Sequence, residues 1–204
     1  KNKIKIVVLG ALLVIALALP QVLSNPYTVQ LCTMTLFFAS TAIAWNILGG
    51  YAGQVCFVQS LFVGIGAYTS TYLFVSHGIN PWLGMIMGAG ISMIVGVGVG
   101  YLTFRYGLRD VFFALSTMAM VEISRYIVLN IPALGGAEGL FIVIRGNSLG
   151  EYQFYSKEPY YYIILAIVLV FLVVTWVIHN RKLGFYFRAI RENENAAQAV
   201  GIDL

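Results

Sequence analysis

The sequence predicts an all-α membrane protein. Three observations carry that prediction. Of 204 residues, 60% are hydrophobic and only 10% are charged, whereas a soluble domain carries about 25% charged residues. The apolar residues gather into runs of membrane-spanning length. The basic residues gather between those runs, on alternate connections. A single core of this size cannot hide so much apolar surface, because a small domain leaves much of its surface in water. The surplus must face lipid. This excludes an ordinary soluble enzyme, a secreted disulfide domain and a disordered chain.

A spanning helix needs about 20 mostly apolar residues, and about six segments come near that length. The first is Ile4–Leu19, short and stopped by Pro20. Its leader, Lys1-Asn2-Lys3-Ile4-Lys5, resembles a signal peptide, but no small-x-small cleavage site follows, which favours a retained helix. The others are Val29–Leu48, Val55–Val75, Trp82–Phe104, Val111–Ile131 and Tyr160–Ile178. Residues 1–178 thus form a transmembrane domain, and 179–204 a cytoplasmic tail. With the N-terminus inside, Lys1, Lys3, Lys5, Arg105, Arg109, Arg181, Lys182, Arg188 and Arg191 all fall inside, while Arg145 and Lys157 fall outside. The positive-inside rule therefore places the N-terminus in the cytoplasm. The net charge of +4 reads as a topology signal, not as a nucleic-acid surface. Trp82, Tyr152, Phe154, Tyr155 and Tyr160 to Tyr162 mark the outer interface, and Trp176 the inner one, because such rings sit where lipid meets water. Cys32 and Cys56 both lie in apolar runs and read as membrane-buried thiols.

Four features stand out. The uncharged stretch from Asn46 to Ser60 contains Gly49, Gly50 and Gly53. Lipid tolerates irregular backbone only where protein or a water-filled cavity covers it. One reading is a discontinuous helix whose Asn46, Gln54 and Gln59 border a pathway; the other is a plain hairpin in the headgroups. On the fourth span, Gly84, Gly88, Ser92, Gly96 and Gly100 recur every four residues and share one helix face. Small residues admit a close neighbour, within this chain or on a second subunit. On the fifth span, Glu122 and Arg125 meet at i and i+3. A lone charge at mid-membrane costs at least about 2.5–3.5 kcal/mol, so the two should pair and face protein or water. They are either a pathway pair or a structural ion pair. In the tail, Asn193 is placed to N-cap a short helix, with Glu194 at its positive end and Gly201 as its C′ residue. So short a helix is marginal alone and needs a docking partner; the alternative is a headgroup-level helix held by Arg188 and Arg191.

The catalytic inventory is empty. The 204 residues contain no Gly-x-x-x-x-Gly-Lys-[Ser/Thr] and no His-Glu-x-x-His. No acid, base and nucleophile set assembles from one membrane depth, and no metal ligand set is apparent. His77 and His179 read as surface residues at helix ends.

Four stretches resemble the LivM-like membrane subunits of bacterial ABC importers for branched-chain amino acids. Gly49-Gly50-Tyr51-Ala52-Gly53-Gln54-Val55, with Gly64-Ile65-Gly66-Ala67-Tyr68-Thr69, is similar to the family's Gly-Tyr-x-Gly-Gln segment. Arg109-Asp110-Val111-Phe112-Phe113-Ala114-Leu115-Ser116-Thr117, with Glu122-Ile123-Ser124-Arg125, resembles its arginine-led fifth span. Gly135-Gly136-Ala137-Glu138-Gly139-Leu140 resembles its outer loop, with Leu134 where threonine is usual. Gly184 to Arg188, then Ala189-Ile190-Arg191-Glu192-Asn193-Glu194-x-Ala196-Ala197-x-x-x-Gly201-Ile202, resembles its ATPase-docking loop. Val58 departs from the family's glycine in Ser-Phe-Gly-Gln-Ala. Family members continue beyond this point with further helices, so the resemblance implies a C-terminally truncated subunit.

The resemblance also implies partners. A periplasmic binding protein delivers the solute, a second, LivH-like permease completes the path, and ATPase subunits carry ATP and Mg. This chain needs no cofactor of its own and works in the bacterial inner membrane. Arg188, Arg191, Glu192 and Glu194 would supply charge contacts to the ATPase, Ala197 and Val200 would fill a groove in it, and Gly201 would close the coupling helix.

Overall fold

The computed structural model describes residues 13–201 except 24, 109, 144, 145, 147 and 149. Every regular element among them is helical. In chain order these are α1 (Leu13–Val22), α2 (Pro26–Asn46), α3 (Gln59–His77), α4 (Pro81–Arg105), α5 (Asp110–Asn130), α6 (Glu158–Asn180), α7 (Lys182–Glu192) and α8 (Glu194–Ala199). A π-turn, Ile47–Tyr51, extends α2, and a 3-10 turn, Pro132–Leu134, follows α5.

Four helical stretches are long and apolar enough to cross a membrane: Pro26–Tyr51, Pro81–Arg105, Val111–Asn130 and Glu158–Asn180. The expectation of about six spans is met here only to that extent. α3 is long enough but dilutes its apolar content with Ser60, Tyr68, Thr69, Ser70, Thr71 and Tyr72. α1 is described only from Leu13, and Ile4 to Leu12 of the first expected span lie outside the described residues.

The described chain divides into two compact units. One joins the stretch up to Ile43 with Phe154–Val177. Its core is Val29, Tyr161 and Leu165, with Ala16, Leu23, Cys32, Leu36 and Tyr162 packed around them. Pro20 does not stop α1 as expected; the helix runs through it to Val22. Proline has no N–H, so the carbonyl four residues earlier, that of Ala16, loses its helical donor. The Tyr161 hydroxyl donates to that carbonyl at 2.8 Å, and the Tyr162 hydroxyl donates to the next one, Leu17, at 3.3 Å. The hydrogen bond that proline removes is thus replaced from α6, as an apolar surrounding requires.

The other unit joins Ala44–Gln153 with the segment from Ile178 onward. It holds α3, α4 and α5 together with α7 and α8. Its largest internal contact is the α3–α4 hairpin. Gly78, at φ +63°, ends α3, and the Asn80 side chain accepts from the Trp82 N–H at 2.9 Å to start α4, with Pro81 in its first turn.

The small-residue face of α4 lies on α3 of the same chain. A Cβ on Gly84 would meet Ser70 Cα at 2.9 Å, and one on Gly88 would meet Gly66 Cα and O at 3.0 Å. The Ser92 hydroxyl donates to the Phe62 carbonyl at 3.2 Å, and Gly96 faces the Phe62 ring. Gly100 has drifted off this face: among the described residues a Cβ there would meet Phe104 of its own helix, at 3.9 Å. The apolar run Phe141-Ile142-Val143 is irregular backbone, and one isolated bridge joins Ser148 to Gln153. Trp82 packs edge-on against Tyr152, centroids 5.2 Å apart, so the start of α4 and this loop share one end of the unit.

Candidate functional site

The site is the break between α2 and α3, residues 46–58. α2 ends in the Ile47–Tyr51 π-turn, then the chain runs irregularly until α3 begins at Gln59. Glycine makes this turn possible. A Cβ on Gly49 would strike the Trp45 ring at 2.6 Å, and one on Gly50 would collide with the Asn46 amide oxygen. π-turns are rare and frequent at functional sites.

Irregular backbone in an apolar setting must have its polar groups answered. Here side chains supply the answers. The Trp45 indole N–H donates to the Cys56 carbonyl at 2.7 Å. The Phe57 N–H donates to Thr117 Oγ1 at 3.2 Å, while the Thr117 hydroxyl donates to Ala114 O at 2.9 Å. Thr117 is wholly buried. Cys56, Val58 and Phe113 form a buried cluster with Leu48, Leu61 and Phe62 beside them. Cys56 and Val58 are thus buried and the Phe57 backbone is held by α5, while the Val55 and Phe57 side chains stay exposed.

Between Leu48 and Gln54 the helical register is lost. The Ala52 and Gln54 N–H groups both donate to the Leu48 carbonyl, at 3.2 and 3.3 Å. Gln54 thus bypasses the Gly50 carbonyl, its partner in an uninterrupted α-helix. That carbonyl instead accepts from Arg191 Nη1 at 2.7 Å. Gly53, at φ +74°, lies beneath the same arginine: a Cβ there would meet Arg191 Cγ at 2.7 Å. One residue along the turn, the Tyr51 hydroxyl and His179 Nδ1 are 3.1 Å apart. The Gln54 amide oxygen is buried and finds no hydrogen-bond partner among the described residues.

The expected site residues separate into three groups. Asn46, Gln54 and Gln59 lie on the broken segment, Asn46 exposed. Glu122 and Arg125 form an ion pair of 3.0 Å, both side chains about half exposed, with the Arg125 guanidinium over the Tyr126 ring. Among the described residues, the α5 side chains that reach the break are Phe113 and Thr117.

The tail residues differ among themselves. Arg188 donates to Gly184 O at 3.0 Å and lies over the Phe185 ring. Glu192 is exposed. Asn193 caps α8 by accepting from the Ala196 N–H at 3.0 Å, and Gly201 follows at φ +85°. The Glu194 side chain lies outside the described residues. The Arg191 guanidinium donates to Gly50 O while the residue stays exposed, Ala197 is 4% exposed within its own chain, and Val200 is 77% exposed. Trp45, Tyr51, Thr117 and His179 were not read as site residues; Trp45 and Thr117 offered no signal except polar atoms in apolar runs. Both cysteines are free thiols.

Four helical stretches long and apolar enough to cross a membrane fit a multi-pass membrane protein. A family profile described as "Branched-chain amino acid transport system / permease component" matches residues 27–204, and the chain belongs to that family. It is 27% identical to the high-affinity branched-chain amino acid transport system permease protein LivM of Salmonella typhimurium, over 95% of this chain and 50% of that protein. It is 26% identical to the Escherichia coli LivM protein over the same shares. The chain thus spans about half the length of the curated relatives it matches. No solved structure matches it.

Proposed function

We propose that this chain is part of a permease subunit of a binding-protein-dependent ABC importer in the bacterial inner membrane. Its solute is a branched-chain or related amino acid, and its energy comes from a separate ATPase that carries ATP and Mg. A second, LivH-like permease and a periplasmic binding protein complete the assembly. The observation that carries this reading is the family match across residues 27–204, which includes both the broken helix and the α7–α8 tail.

The geometry supports it in three ways. First, the Tyr51–His179 and Arg191–Gly50 contacts put the break and the tail at one end of their unit, as expected if both are cytoplasmic and the N-terminus is inside. α3 and the helix containing α1 then serve as the remaining two of six spans. Second, the broken segment offers polar groups without charge, with Asn46, Gln54 and Gln59 beside the path; an aliphatic side chain needs no buried charge along its route. Third, α8 is a capped six-residue helix, too short to stand alone. With Glu192 and Val200 exposed beside it, it presents a docking surface for an ATPase.

The test is uptake. Deleting the gene in its native host should abolish ATP-dependent accumulation of labelled leucine, isoleucine or valine, and the full-length gene should restore it. Unchanged uptake of all three would reject the assignment.

A further inference from the structure

We infer that Arg191 works inward, as the positioning residue that ties the tail to the broken helix; this rests on the importer reading above. The Gln54 N–H, diverted to Leu48, leaves the Gly50 carbonyl without its α-helical donor. The Arg191 guanidinium takes the vacated place at 2.7 Å. A charged donor makes this stronger than a neutral hydrogen bond. Gly53 accommodates the arginine stem, since at φ +74° it has no Cβ to obstruct it. The Tyr51–His179 contact, 3.1 Å, pins the same turn to the end of α6. Gly184 seats α7 directly on the Ile178 carbonyl, so α7 starts against the point where His179 holds Tyr51.

These contacts make a lever. Arg191 is two residues from Asn193, the cap of α8. A push on α8 reaches the guanidinium through the extended Asn193 and then Glu192, and the guanidinium holds the Gly50 carbonyl. Tail movement therefore shifts the turn beside the path. Arg191 transmits the push; it does not receive it.

The experiment uses the full-length subunit with its second permease, ATPase and binding protein in proteoliposomes. ATP hydrolysis and tritiated leucine uptake are read in the same vesicles. Arg191→Gln should leave the complex assembled and hydrolysing ATP, while leucine taken up per ATP falls about tenfold, the scale of one charge-assisted hydrogen bond. Arg191→Lys should recover part of the loss. Tyr51→Phe, which removes one hydroxyl, should lower the same ratio by a smaller factor. An unchanged ratio in Arg191→Gln overturns the inference. So does loss of the ATPase from the Arg191→Gln complex, which would make Arg191 a docking contact. If Arg191→Gln does not fold, Tyr51→Phe decides, and an unchanged ratio there overturns the inference. A wild-type complex that neither retains an ATPase nor takes up leucine overturns the importer reading instead.

Discussion

Gly88 and Gly90 stand two residues apart on α4, yet they should respond differently to the same substitution. A Cβ on Gly88 meets the Gly66 Cα and O at 3.0 Å, whereas one on Gly90 meets nothing among the described residues within 4 Å. Alanine relieves a helical glycine of about 0.5–1 kcal/mol of backbone entropy. Gly90→Ala gains this without opposition. In Gly88→Ala the obstructing atoms are backbone, which cannot rotate aside, so α3 and α4 must separate and the gain is cancelled. Gly88→Leu adds three further carbons at the same place. Overpacking of that kind costs about 1–3 kcal/mol, and it also removes the close approach that lets Ser92 reach the Phe62 carbonyl. Thermal unfolding in detergent is the assay. At about 2–4 °C per kcal/mol for a chain of this size, Gly88→Leu should fall several degrees below wild type and Gly90→Ala should rise by about 1–4 °C. Equal melting temperatures for Gly88→Leu and Gly90→Leu would refute the close-packing argument.

Three further outcomes follow from the same geometry. Thr117→Val leaves the Phe57 N–H without its acceptor and should cost about 1–3 kcal/mol in detergent unfolding, while Thr117→Ser keeps most of the stability; equal stability of all three proteins would show that the break is not anchored there. Tyr161→Phe orphans the Ala16 carbonyl that Pro20 cannot serve and should cost about 1–3 kcal/mol; combining it with Pro20→Ala, which restores the helical donor, should recover most of the loss, and no recovery would reject the replacement. Cysteines introduced at Ser148 and Asn195, in a background lacking Cys32 and Cys56, should react with an impermeant maleimide from opposite sides of the membrane; labelling from one side would overturn the proposed topology.

What the sequence makes legible here is local. The small-residue spacing on α4 is visible because residues four apart share a helix face, and its first four members do lie on one partner, α3. Asn193 and Gly201 announce a short capped helix by their types alone. The span read as Trp82–Phe104 appears as Pro81–Arg105 because Asn80 and Pro81 start it and Arg105 follows its apolar run. The third span was read from Val55, but the helix starts only at Gln59, since the π-turn and the Thr117 bond hold the residues before it out of register. Pro20 was read as a stop because a proline's lost hydrogen bond is a local fact, whereas its replacement comes from Tyr161, 145 positions from Ala16. The same limit hid the anchors of the break. Thr117 is 60 residues from Phe57, and Arg191 is 141 from Gly50. Glu122 and Arg125 drew notice as charges in a span, yet the uncharged Phe113 and Thr117 are the α5 side chains that reach the break.

The central claim is that the tail joins this permease to an ATPase. Its most direct test is purification of the full-length protein from its native host, with residues 193–201 either intact or scrambled, and identification of what accompanies it. A P-loop ATPase that co-purifies with the intact tail and is absent from the scrambled one is the predicted result. Absence of any ATPase from the intact protein, under conditions where it takes up leucine, would contradict the claim.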